Sequence, residues 1–148
     1  ALGLAACCFA AMFGSVLTVG REIFSDYQHW SANDIALADY IDANAESDAL
    51  FLTSDSHVTP VFALAGRRIL CGSGSYVYYH GMDYADEYSA MAALYEHPNE
   101  STLAAWDVGY VLFDSSVYGK FSDADESWYA ARYPVWYEND GCRVYKIK

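Results

Sequence analysis

The first twenty residues, ALGLAACCFAAMFGSVLTVG, carry no charged side chain, and charge begins only at Arg21. A run of that length matches the roughly 20 apolar residues a helix needs to cross a bilayer. Such a segment ends in lipid or in a protein core, and its length and lack of charge favour lipid. The expectation is a hydrophobic N-terminal helix in which 1–22 form the end of a transmembrane segment, followed by an independent domain over 23–148. The competing reading is a buried core helix at the start of that domain. A secretory signal fits poorly, because the run lacks an initiator Met and a basic leading region. Leu4-Ala5-Ala6-Cys7 matches a lipoprotein cleavage box, but most of the apolar stretch follows that cysteine instead of preceding it. The chain is therefore expected to continue from the last membrane helix of a larger protein. The following flank offers one Arg and then an acidic domain, which suits the non-cytoplasmic side of the cell membrane. Tyr27 and Trp30 suit a membrane interface, and packing beneath the domain suits them equally.

Twenty acidic against eight basic residues give a formal charge of −12. That balance excludes nucleic acid and anionic lipid headgroups as partners, since both require basic surface. The cysteines at 7, 8, 71 and 142 show no CxxC and no His at ligand spacing, so no metal centre and no cofactor is expected. Cys7 and Cys8 read as small apolar residues of the hydrophobic run. Cys71 ends one expected strand and Cys142 begins another, which leaves a disulfide between them open outside the cell.

Past the apolar run the pattern alternates between helix and strand. Ser31 and Asp34 mark a helix start, with Ile35, Leu37, Ala38 and Ile41 as its apolar face through about 44. Ala49-Leu50-Phe51-Leu52-Thr53 is a short continuous apolar run, the mark of a strand buried on both faces. Pro60 suits a helix's first turn, predicting a short helix over 59–65 that stops at Gly66. A strand over 67–71, a glycine-rich loop over 72–74, and helices over 82–97 and 101–106 follow. A third buried strand is expected over 108–113, then a charged loop over 120–126 and a helical turn or two over 127–133. Alternating strands over 134–138 and 142–147 flank Asn139-Asp140-Gly141, a hairpin signal resting on positive φ in the turn. Together these predict an α/β fold: a small, mostly parallel sheet flanked by helices, with a C-terminal antiparallel hairpin.

In open α/β sheets ligands bind beyond the carboxyl ends of the strands. Here the first strand ends in Ser54-Asp55-Ser56-His57, the second in Gly72-Ser73-Gly74-Ser75 and the third in Asp114-Ser115-Ser116. Three small polar clusters thus gather on one rim, where hydroxyls and carboxylates can hold a sugar or another polyol and Tyr76, Tyr78 and Tyr79 offer flat faces. Turn chemistry uses the same residues, so the clusters also read simply as loops. The candidate ligand-binding set is Asp55, His57, Arg67, Gly72, Gly74, Tyr79, His80 and Asp114. Asp55 and Asp114 would accept hydroxyl hydrogen bonds, Arg67 would meet a phosphate or carboxylate, and the glycines would admit a close backbone approach. Arg67 or Arg68 would alternatively neutralise Asp55 or Asp83 in a buried ion pair. Sharper enzyme readings are weaker. Asp55, His57, His80 and Asp83 match no compact metal site. Ser56 or Ser73 with His57 and Asp55 lacks a GxSxG elbow, and Gly72-Ser73-Gly74 has only two of the glycines of a dinucleotide loop. Asn99-Glu100-Ser101 is a glycosylation sequon by form.

Three runs resemble a known family. They are Asn33 with Ala38-Asp39-Tyr40-Ile41 and Ala49–Thr53; His57 with Pro60-Val61 and Leu64-Ala65-Gly66-Arg67; and Gly72, Tyr76 and His80-Gly81-Met82-Asp83-Tyr84. Over roughly 30–113 the chain resembles the C-terminal extracytoplasmic domain of polytopic membrane proteins similar to the GT-C glycosyltransferases, the superfamily of protein mannosyltransferases and aminoarabinose transferases. In that superfamily the donor is a polyprenyl-phosphate sugar, and the catalytic carboxylate sits in an early loop between membrane helices. The resemblance therefore implies an accessory domain with no catalytic residue of its own. Its implied partners are the transmembrane part of its parent protein and a glycan or polyprenyl-phosphate sugar. Two rival functions remain beside it: a non-catalytic structural or interaction module of a membrane protein or lipoprotein, and an autonomous hydrolase.

Overall fold

The computed structural model describes residues 2–25 and 28–148; Tyr27, one of the expected interface residues, lies outside them. Helix α1 (Leu2–Phe24) is 23 residues long, about 34 Å at the α-helical rise, enough for a hydrocarbon core of about 30 Å. By length and composition Gly3–Phe24 is able to cross a membrane, which is compatible with an anchor or a signal sequence. None of its described side chains is buried, so the core-helix alternative is not what the structure contains. Two of its polar side chains return their protons to the helix itself. Ser15 Oγ donates to the Ala11 carbonyl at 3.1 Å, and Thr18 Oγ1 to that of Gly14 at 3.0 Å. Hydroxyls satisfied in this way do not oppose burial in lipid.

The domain begins with α2 (Ala32–Asn44), and its start is the one expected: Ser31 Oγ accepts from Asp34 N while Asp34 accepts from Ser31 N, a reciprocal capping box. Strand β1 (Leu50–Leu52) follows. Pro60–Leu64 then coil as a π-helical turn capped by Thr59, and Gly66 leaves it at φ +64°, a conformation glycine tolerates without a Cβ penalty. Strand β2 (Arg68–Ile69) is only two residues long. Next come α3 (Gly74–Tyr79), α4 (Ala85–Glu96) and α5 (Glu100–Ala105), leading to β3 (Tyr110–Asp114). Helices α6 (Ser115–Lys120) and α7 (Glu126–Ala130) precede the hairpin of β4 (Val135–Asn139) and β5 (Cys142–Lys146).

The sheet order is β2-β1-β3-β5-β4. β1 pairs in parallel with β2 and β3, whereas β5 pairs antiparallel with both β3 and β4. The sheet is therefore mixed, and the expectation of a mostly parallel one is corrected. The physical reason is that β5 inserts beside central β3 along that strand's whole length, while the parallel ladders are short. At the hairpin the expected turn forms by other means. Neither Asp140 nor Gly141 adopts positive φ; Asn139 Oδ1 instead accepts from Gly141 N at 2.8 Å and Cys142 N at 3.0 Å. At the outer edge of this hairpin β4 carries a bulge between Val135 and Tyr137.

Strand alternation divides the core in two. Phe51, Tyr110, Leu112 and Val144 face α2 and the π-helical turn, while Leu52, Val111, Phe113 and Tyr145 face α4, α5 and α7. Cys71 belongs to the second layer and Cys142 packs against the first, with β1 and β3 between their strands. At strand spacings near 4.8 Å they stand well beyond disulfide reach. Both are free thiols, and burial raises their pKa values, to about 11 for Cys71 and about 12 for Cys142.

Fully buried Tyr95 of α4 joins the two central strands. Its hydroxyl, whose single proton is shared, lies 2.7 Å from the Leu112 carbonyl and 3.1 Å from that of Leu52. Burial holds its pKa well above the ordinary phenol value, so it remains a donor. Tyr95→Phe keeps the ring and removes the donor. It is expected to lower the unfolding free energy by about 1–3 kcal/mol, the cost of leaving buried carbonyls unpaired, as read from urea unfolding.

Candidate functional site

From β1 the chain goes to β2 on one side, and β3 lies on the other. The carboxyl ends of β1 and β3 therefore form the point where strand order reverses and the crossings leave a crevice. The residues there are connected. Ser54 Oγ lies 2.9 Å from Ser116 Oγ, and Ser116 Oγ donates to Asp114 Oδ1 at 2.6 Å. With the Ser116 proton committed to the carboxylate, Ser54 is the donor to Ser116. The same Asp114 oxygen accepts the Ser116 and Val117 amides at 2.9 Å each, capping α6. A cleft of about 230 Å³ opens beside this chain, bounded by Trp30, Asp34, Ser56 and Thr59. Asp114 also borders a cleft of about 340 Å³ that runs under the hairpin along Tyr118, Glu126 and Arg143.

The other expected rim residues are placed unequally. Asp55 forms an ion pair with Lys120 of α6, whose ammonium lies 4.8 Å from the Tyr88 ring centroid. Burial alone would lower the Lys120 pKa, but the Asp55 carboxylate outweighs it and the net shift is upward. His57 accepts from Ser73 N through Nδ1 at 3.1 Å and meets Phe62 and Tyr76 edge-on, each at 5.3 Å between centroids. The glycines fit this packing closely. A Cβ on Gly72 would come within 2.6 Å of His57 Nε2, and one on Gly74 within 2.6 Å of the Tyr84 hydroxyl. The backbone approach expected for a ligand is thus occupied by the protein's own rings. The expected 72–74 loop is itself the entry to α3, whose last residue, Tyr79, is exposed and whose C-cap is His80.

Arg67 is not on this rim. It precedes β2 at the opposite edge, 9% exposed, where its guanidinium donates to the carbonyls of Ala65, Asp42 and Ala45 and to the Asp42 carboxylate. It closes the C-terminal end of α2, with Asp42 as ion-pair partner in place of the expected Asp55 or Asp83. Neither enzyme constellation assembles. Ser56 Oγ accepts from Val58 N, and Asp55 and His57 each turn to the partners just named. Among the described residues no group of three or more His, Cys, Asp or Glu is placed to hold a metal ion.

Sequence reasoning missed the network beneath the hairpin. Glu126 accepts from Tyr118 and Tyr145 hydroxyls and from Arg143, which also reaches Glu138. Burial would raise the Glu126 pKa, but these donors outweigh it and hold the carboxyl below its ordinary 4.5. Five residues from α6, α7, β4 and β5 meet here, and none carries a local signal. No protein-family model matches the chain, and no curated protein matches it.

Two outcomes follow from this packing. Gly72→Ala forces His57 off its seat and is expected to cost about 1–3 kcal/mol by overpacking. Adding His57→Ala should return part of that loss, a positive coupling measurable in a double-mutant cycle. Because its folded-state pKa is depressed, Glu126 stabilises the fold fully above about pH 4.5 and loses that contribution as pH falls through the lowered value. The stability gap between wild type and Glu126→Gln should therefore narrow on acidification below pH 4.5, followed by chemical unfolding at each pH.

Proposed function

We propose that this chain is a membrane-tethered, non-catalytic α/β module on the non-cytoplasmic side, which holds the hydroxyl groups of a glycan in the crevice between β1 and β3. The observation that carries this reading is the Ser54–Ser116–Asp114 hydroxyl chain opening on a cleft beside Trp30. Small hydroxyls and a carboxylate suit the alternating donors and acceptors of a sugar, and an indole suits its apolar C–H face. In keeping with the resemblance to GT-C glycosyltransferases, the module is accessory, working beside the transmembrane part of a parent transferase that uses a polyprenyl-phosphate sugar. Arg67 is committed to α2 and Lys120 to Asp55, so recognition is assigned to the sugar and not to the phosphate. The acidic flank after α1 supports the non-cytoplasmic placement.

A structural module is the second reading, and a specific observation favours it. Asp55, His57, Gly72, Gly74 and Arg67 all meet the protein's own side chains or backbone. The two readings separate on titrating the full chain in detergent micelles with cell-envelope glycans and polyprenyl-phosphate sugars, followed by tryptophan fluorescence. Glycan binding is expected to saturate with or without the lipid phosphate. Ser116→Phe, which fills the cleft from an exposed position, should abolish it while leaving thermal unfolding unchanged. Wild-type fluorescence that ignores every glycan leaves the structural module standing.

A further inference from the structure

The side chains left uncovered on the rim form an apolar, aromatic surface next to the point where the chain arrives from α1. Val58, Phe62, Tyr76, Tyr78, Tyr79 and Met82 are all exposed large hydrophobic residues. His57 ties them together by packing against both Phe62 and Tyr76, and Tyr78 meets Tyr79 edge-on at 5.7 Å. Val58 lines the same cleft as Trp30, across Ser56 and Thr59, which brings the surface next to the domain's first residues.

Two further observations say what covers it. The first is the tether. Trp30 is six residues beyond Phe24, the end of α1, and an extended chain spans at most about 3.6 Å per residue. The rim therefore stands within roughly 22 Å of the end of the apolar helix. The opposite edge of the sheet, where Lys148 pairs with Asp107, is turned away from that tether. The second is charge. The chain holds twenty Asp and Glu residues, yet 56–66 and 71–82, which supply these six side chains, contain no Asp, Glu, Lys or Arg. Tyrosine hydroxyls above an apolar ring suit the boundary between headgroup and acyl chain. With Asp55 and Asp83 flanking these segments, the lipid that fits carries no net negative charge.

We propose that this surface seats on the headgroup–acyl boundary of a zwitterionic bilayer, with the β1–β2 side of the rim turned down and the Lys148–Asp107 end of the sheet turned away. The inference rests on the reading of α1 as a membrane anchor, and the two fail in different ways. The full chain is reconstituted into phosphatidylcholine vesicles, floated on a density gradient, and footprinted with hydroxyl radicals. Oxidation rates are normalised to those of the denatured chain. Tyr79 is 85% exposed, and Val135, at the far edge of the sheet, is 48% exposed. Seating on lipid reverses that order: Tyr79 and Met82 oxidise several-fold more slowly than Val135. Replacing Tyr78 and Tyr79 by Ser should then raise oxidation of Tyr76 and Met82 and leave Val135 unchanged. A chain that does not float overturns both the anchor and the docking. A chain that floats with Tyr79 oxidised faster than Val135 overturns the docking alone. Protection that fades as the protein is diluted in lipid assigns the surface to a second copy of the chain and likewise overturns it.

Discussion

The ladder between β1 and β3 is short, running only from Phe51–Tyr110 to Leu52–Val111, while β3 continues to Asp114. Backbone carbonyls at the end of such a ladder lie inside a dry core, where an unpaired acceptor is costly. The Tyr95 hydroxyl meets that requirement from α4, lying between the carbonyls of Leu52 and Leu112. Everything at the rim is built on this junction. Thr53 and Ser54 remain buried just past β1, Asp114 caps α6 just past β3, and the serine hydroxyls bridge the gap above the tyrosine. The two strands beneath the crevice are thus joined by a residue that belongs to neither of them.

Much of the architecture was legible because its causes are local. The Ser31–Asp34 capping box, Pro60 opening a turn that Gly66 ends, and the hairpin at Asn139 each depend on neighbours within four residues. The α3 segment was not legible, since glycines and serines read as a loop. The entry to its helix packs against His57, which follows β1, and against Tyr84, the N-cap of the next helix. Asp114-Ser115-Ser116 read correctly as a strand end, but Asp114 also begins a helix, and one short polar cluster serves both. The mixed character of the sheet depended on where β5 inserts, a choice that no pattern within β5 records.

The candidate site shows the same division. Residue types pointed to the right rim, because strand ends converge there by topology. Their partners did not follow from type. Asp55 meets Lys120, Arg67 lies at the other edge beneath α2, and the Glu126 network joins α6, α7 and β5. Which end of a strand a residue occupies decides the side it reaches. Arg67, just ahead of β2, falls on the opposite edge from Gly72, just past it.

Exposed sheet margins are templates for unwanted polymerisation, because a bare row of amides and carbonyls can pair with another chain. Here one margin is a strand of only two residues, and the other is interrupted by the irregularity between Val135 and Tyr137. Neither offers a run of regularly spaced amides and carbonyls long enough to recruit another chain. Both margins of the sheet are thereby blunted against edge-to-edge pairing.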